Sequence, residues 1–136
     1  MIATTVSFSS PDVVRLTGAT ARQLVYWVDQ GVIAPSVTAA GGSGGRHRWS
    51  ATDVRTIRVL ARLADLGCDH RTLRLVPEVL EFHAGEGWLL AGPGRVRLCT
   101  VDELVHALTV DEPTWHVVRL STVLHNLPTD DDAAAR

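Results

Sequence analysis

The sequence predicts a mainly α fold in two parts, with helices dominating residues 1–83 and a small mixed β/α segment following over residues 84–128. Three observations predict it. In the first part, apolar residues recur at three- and four-residue spacing behind Ser, Thr and Asp residues suited to cap helices. Gly41-Gly42-Ser43-Gly44-Gly45 interrupts this pattern with a loop that regular structure does not accommodate. After Gly85 the helical spacing gives way to short strand-like runs on either side of a Gly-Pro-Gly turn.

Each element follows from local chemistry. Ser9-Ser10-Pro11-Asp12 opens the first helix: serine caps, proline suits the first turn, and an acid complements the helix dipole. Val13, Val14 and Leu16 supply its apolar side and Gly18 ends it. Thr20 caps a second helix over Ala21–Gln30, with Gly31 just past its end. A short helix, a glycine-containing turn and a second amphipathic helix make a helix-turn-helix. On the second helix Leu24, Trp27 and Val28 share one face, while Arg22, Gln23, Tyr26 and Gln30 point elsewhere.

Val32-Ile33-Ala34-Pro35 reads as an extended exit, and Arg46-His47-Arg48-Trp49 as a short strand beyond the glycine loop. Together they look like a hairpin wing with a basic return strand. Ser50 and Asp53 form a capping box for a third helix running to about Leu66. Asp69 caps a fourth, His70–Phe82, which Pro77 bends or shortens. Trp88–Ala91 and Val96–Cys99 are paired strands about Gly92-Pro93-Gly94. Thr100, with Glu103, caps Val101–Leu108. Trp115–Val118 is strand-like and Leu120–Leu127 a closing helix. Thr129–Arg136, with three consecutive aspartates, reads as a disordered acidic tail.

Composition narrows the function classes. The 136 residues carry 13 basic and 15 acidic side chains, a formal charge of −2, and every basic one is arginine. The total says little, since a compositional bias removes lysine everywhere. The distribution says more. Residues 1–77 hold nine arginines against five acids, a net of +4; residues 78–136 hold four against ten, a net of −6. A basic half joined to an acidic half suggests a polyanion-binding part attached to something else. An apolar content of 46% argues against disorder. The longest apolar run, Leu24–Val28, is far short of a membrane span, and Met1–Ser7 lacks the features of a secretory signal, so a cytoplasmic protein is expected.

Catalytic signatures are missing: there is no nucleophile elbow, phosphate-binding loop, dinucleotide fingerprint or helical His pair. The chain is therefore expected not to be an enzyme and to need no cofactor. Cys68-Asp69-His70 offers metal-binding side chains in a row. However, Cys99 lies 31 positions away with no ligand beside it, and buried free thiols are common. No metal site is expected. Trp88 and Trp115 are read as core aromatics.

The stretch Phe8–Val76 resembles the DNA-binding domain of the MerR family of winged helix-turn-helix regulators. The resemblance is carried by Ser9–Gly18, by Thr20-Ala21-Arg22-Gln23-Leu24-Val25-Tyr26-Trp27, by Gly31-Val32-Ile33-Ala34-Pro35, and by the glycine-rich loop. Arg46-His47-Arg48-Trp49-Ser50, Asp53 and the helix ending Leu63-Ala64-Asp65-Leu66-Gly67 complete the series. The departures are Val25, where many members carry a polar or charged residue, Trp49 in place of tyrosine, and a long glycine wing. Nothing after residue 83 matches the long antiparallel dimerisation helix of well-known members.

The resemblance implies a homodimer that sets two recognition helices in successive major grooves of a palindromic site in double-stranded DNA and distorts it. It places Arg22 and Tyr26 where members contact bases or backbone. Thr20 and Gln23 lie on the exposed start of the same helix, and Arg46, His47 and Arg48 match the wing's return strand. Arg71 and Arg74 follow a helix start whose amides also suit phosphate. Arg55, Arg58 and Arg62 read as a solvated face. The 84–128 segment is left for dimerisation or a protein partner. Two other functions share this pattern: an architectural DNA-binding protein such as a recombination directionality factor, and an antitoxin-like interaction module.

Overall fold

In a computed structural model of the chain, residues 7–37, 47–81, 86–110 and 115–128 are described, and about half of them are helical. The chain divides into two compact units: among the described residues the first holds 7–58 and 126–128 and the second 59–125, so one boundary falls between Arg58 and Val59, inside one helix, and the other after His125.

The first unit begins with a two-residue strand, β1 (Phe8–Ser9), and continues through α1 (Ser10–Thr17) and α2 (Ala21–Asp29). Strand β2 (Arg48–Trp49) and the start of α3 (Ala51–Asp65) complete it. The caps expected at Ser9 and Thr20 both form, and each is a reciprocal capping box. Ser9 Oγ accepts the Asp12 N–H at 3.3 Å and the Asp12 carboxylate accepts the Ser9 N–H at 3.3 Å. Thr20 and Gln23 exchange the same pair of bonds at 3.0 and 2.9 Å. Gly18 ends α1 with φ +79°, a conformation that side chains with a Cβ rarely adopt. The buried Thr17 hydroxyl fastens the turn, donating to Val13 O at 2.7 Å and accepting the Ala19 N–H at 3.1 Å. Val13, Leu24, Trp27, Trp49, Val54 and Ile57 are buried apolar side chains of this unit.

Strand β1 is not readable in the sequence, because two residues show no alternation. It pairs antiparallel with β2, Phe8 opposite Trp49 and Ser9 opposite Arg48. The extended exit after α2 contributes a single antiparallel bridge, Val37 to Arg48. The return strand of the expected hairpin therefore takes most of its pairing from the segment before α1. The glycine loop, Arg46 and the acidic tail lie outside the described residues.

The second unit holds the remainder of α3, α4 (His70–Leu73), α5 (Val76–Leu80), β3 (Trp88–Gly92), β4 (Arg95–Cys99), α6 (Val101–Val110), β5 (His116–Arg119) and α7 (Leu120–Val123). The expected helix His70–Phe82 is two short helices. Pro77 falls in the first turn of the second, where its missing N–H removes no intrahelical bond. The closing helix is one turn, followed by Asn126 in the left-handed region at φ +64°. The three strands form an antiparallel sheet in the order β4-β3-β5. One of its faces carries a cluster of Leu90 and Cys99 with Leu104 and Ala107 of α6, against which Trp88, Trp115 and Val117 pack. Among the described residues, no helix is long and apolar enough to cross a membrane.

Thr72 links α4 to the β3–β4 turn. Its N–H caps onto Asp69 Oδ1 at 2.8 Å; its hydroxyl donates to Gly92 O at 3.1 Å and accepts the Gly94 N–H at 2.9 Å. Thr72 is buried, so removing the hydroxyl strands both backbone groups. Thr72→Val is expected to lower the unfolding free energy by roughly 1–3 kcal/mol. Urea denaturation checks this, and an unchanged midpoint would show the link to be unimportant.

Candidate nucleic-acid interface

The exposed side of α2 follows from its helical period. Leu24 and Trp27 are 3% and 2% exposed and anchor one side. Arg22 and Tyr26, four residues apart, then share the other side and are both exposed. Thr20 and Gln23 stand at the start of the same helix, but their side-chain oxygens are engaged in the capping box. The Gln23 amide keeps its two N–H donors, whereas a contact that used its oxygen would have to open the cap. The box therefore fixes the helix start and orients Gln23 at once.

β2 supplies the next residues. His47, just before it, is exposed and lies 6.0 Å from the Trp49 ring, tilted by 44°. The Arg48 guanidinium is half-committed: Nε and Nη2 donate to Ser7 Oγ at 3.0 and 2.8 Å, and Nη2 also reaches Ser7 O at 3.1 Å. Arg46 lies outside the described residues. Arg71 belongs to the second unit, where its guanidinium comes within 3.3 Å of where a Cβ on Gly94 would sit. The first unit thus gathers Thr20, Arg22, Gln23 and Tyr26 on one helix and His47 and Arg48 on one strand segment.

Three features escape sequence reasoning. Arg58, read as part of a solvated face, donates from Nη1 to Thr17 O at 2.8 Å. That carbonyl is at the end of α1, so Arg58 fastens the turn between the two helices. A Cβ at position 18 would lie 3.3 Å from the same nitrogen, which gives Gly18 a second reason to be glycine. Asp53 does more than cap α3. Its Oδ2 accepts the Ser50 N–H at 2.9 Å, the Ser36 N–H at 2.9 Å and the Ser36 hydroxyl at 2.7 Å. Finally, an apolar cavity of about 390 Å³ opens beside α1 and α2, with Pro11, Val14, Ala21, Val25, Val28 and Trp49 in its lining. Val25 at its edge is 61% exposed.

The electrostatics are local. Hydrogen bonds from Ser9, helped by the Arg15 guanidinium at 3.2 Å, hold the Asp12 carboxyl below its ordinary pKa. A lowered carboxyl pKa stabilises the fold above the ordinary value and loses that effect as pH falls through the lowered one. The α1 cap is therefore fully present near neutral pH. Cys68 has its thiol pushed up, first by burial and then by the neighbouring Asp69 charge. Cys99 is buried in the core of the second unit. Among the described residues, no three His, Cys, Asp or Glu side chains are grouped to hold a metal.

Arg58 is expected to act through position rather than through phosphate. Losing a direct phosphate contact reduces the salt slope of DNA binding by about 0.9. Arg58→Gln should instead weaken binding with the slope unchanged, as measured by fluorescence anisotropy over a salt series. A fall in slope would place Arg58 on the DNA backbone.

A family model for MerR helix-turn-helix regulatory proteins matches residues 8–76. Over 75 residues the chain is 31% identical to an uncharacterized HTH-type transcriptional regulator of Mycobacterium bovis. It is equally similar to two such regulators of Mycobacterium tuberculosis, from strains CDC 1551 and H37Rv. The aligned stretch covers 55% of this chain and 33% of each relative, so the chain spans about a third of the length of these curated relatives.

Proposed function

Because the chain belongs to the MerR family of helix-turn-helix regulatory proteins, we propose that it is a sequence-specific transcriptional regulator. It acts in the cytoplasm as a homodimer on a palindromic operator and distorts the DNA it binds. Residues 1–83 form the winged DNA-binding part, and residues 84–128 serve dimerisation or a protein partner. Its role is binding rather than catalysis. The observation that carries this reading is α2: it is capped at its start, anchored by buried Leu24 and Trp27, and presents Arg22 and Tyr26 together to solvent.

In this reading α2 enters the major groove with its N-terminal turn foremost. Arg22 offers the planar fork of donors that suits guanine or phosphate. Tyr26, one turn further on, meets the backbone. His47 and the Nη1 of Arg48 approach flanking phosphates beside the wing. The capping box keeps Thr20 and Gln23 ordered before DNA arrives, so less side-chain entropy is lost on binding.

Fluorescence anisotropy on genomic restriction fragments tests the assignment. A base-reading arginine supplies ~1–3 kcal/mol of discrimination, so Arg22→Ala should weaken specific binding about 5- to 150-fold. Its effect on non-specific fragments should be much smaller. Equal affinity of the variant and the parent for the same specific fragment would remove Arg22 from the interface.

A further inference from the structure

Five of the nine residues of α2 are exposed: Ala21, Arg22, Val25, Tyr26 and Asp29. At 3.6 residues per turn they fall on one arc, opposite buried Leu24 and Trp27. Arg22 and Tyr26 take one flank of the arc, Ala21 and Val25 the other, and Asp29 closes it at the far end of the helix. Folding does not account for Val25. It stands at the rim of the cavity beside α1 and is 61% exposed, so the core gains little from it. An outward helix position ordinarily carries a polar residue, and a β-branched one lowers helix propensity.

We propose that Val25 reads the C5-methyl group of a thymine in the major groove, beside the base pair that Arg22 meets. The inference rests on the reading of DNA by α2 proposed above and names a base for it. Chemistry selects the methyl. Base edges in the major groove present hydrogen-bond donors and acceptors, and thymine adds an apolar group, its C5 methyl. Valine has no hydrogen bond to offer, so against an amino group or a ring nitrogen it would strip water and return nothing. Against the methyl it removes apolar surface from water on both sides.

Position selects the base pair. Side chains three apart on a helix stand about 5–6 Å from each other, and successive base pairs about 3.4 Å. Val25 therefore falls one or two steps from the base pair of Arg22. Rigidity makes the contact discriminating. A valine in a helix holds one strongly preferred rotamer, so its two methyl groups are in place before DNA arrives. The Thr20–Gln23 box fixes the helix start in the same way. Arg22 and Val25 then read neighbouring base pairs by different means, one by charge and hydrogen bonds, the other by shape.

Deoxyuridine lacks only the methyl group of thymidine and keeps each of its hydrogen bonds. The test takes the full chain and the site selected from a random DNA pool, and replaces each thymine in turn by deoxyuridine. Fluorescence anisotropy reads the affinities. The parent should lose about fourfold at one thymine in each half-site, the effect of one buried methyl group. That thymine should lie one or two steps from the base pair whose preference disappears in Arg22→Ala. Val25→Ser, its fold checked by circular dichroism, should bind the thymine and deoxyuridine duplexes equally at that position, while other thymines keep their parental response. A selected site without thymine there, a parent indifferent to the methyl, or parental discrimination retained in Val25→Ser overturns the assignment of Val25 and leaves the DNA reading by α2 standing. A pool that yields no sequence, or a selected site that Arg22→Ala binds as the parent does, overturns both.

Discussion

The carboxylate of Asp53 holds the first unit in register. One oxygen accepts donors from Ser50, three residues away, and from Ser36, 17 residues away. The first bond starts α3. The bonds to Ser36 pin the chain leaving α2 to that same start. A charge-assisted bond is roughly twice as strong as a neutral one, so this short fork outweighs any single cap nearby. The rest of the unit depends on it. Ser50 and Trp49 are fixed beside the helix start, and Trp49 is fully buried with its indole N–H donating to Ser10 Oγ at 3.1 Å. β2 then offers its edge to β1, and α1 and α2 close the unit.

The exposed face of α2 is a consequence of that closure. Its buried side is fixed by Leu24 and Trp27, its start by the Thr20–Gln23 box, and the preceding turn by Thr17 from within and Arg58 from α3. Arg22 and Tyr26 face solvent on a helix whose other constraints are all met within the unit. Three arginines of one basic half thus do different work. Arg22 is exposed, Arg48 is partly committed to Ser7, and Arg58 fastens the turn. A count of positive charge treats them alike.

The elements set by neighbouring residues were legible in the sequence. The caps at Ser9, Thr20, Ser50 and Thr100 rest on bonds between residues three apart, and all four form; the boxes at Ser50–Asp53 and Thr100–Glu103 were legible as such, whereas the return bonds of Asp12 and Gln23 were not read. The hairpin of β3 and β4 about Gly92-Pro93-Gly94 was legible for the same reason, since its signal is a turn flanked by apolar runs. Long-range bonds were not. Ser36 to Asp53, Arg48 to Ser7 and Arg58 to Thr17 join residues 17 to 41 positions apart through polar side chains that carry no periodicity. For the candidate site, helical spacing was enough to place Arg22 and Tyr26 on one face. The engagement of Gln23 and Arg48 with their own chain required atomic positions.

The central claim is that this scaffold reads a duplex sequence, and selection of bound DNA from a random pool tests it most directly. The expected result is enrichment of one motif made of two inverted half-sites, with centres about one helical turn apart or a multiple of it, and loss of the motif with Arg22→Ala. A pool that remains random after repeated rounds, while the chain stays folded, would contradict it.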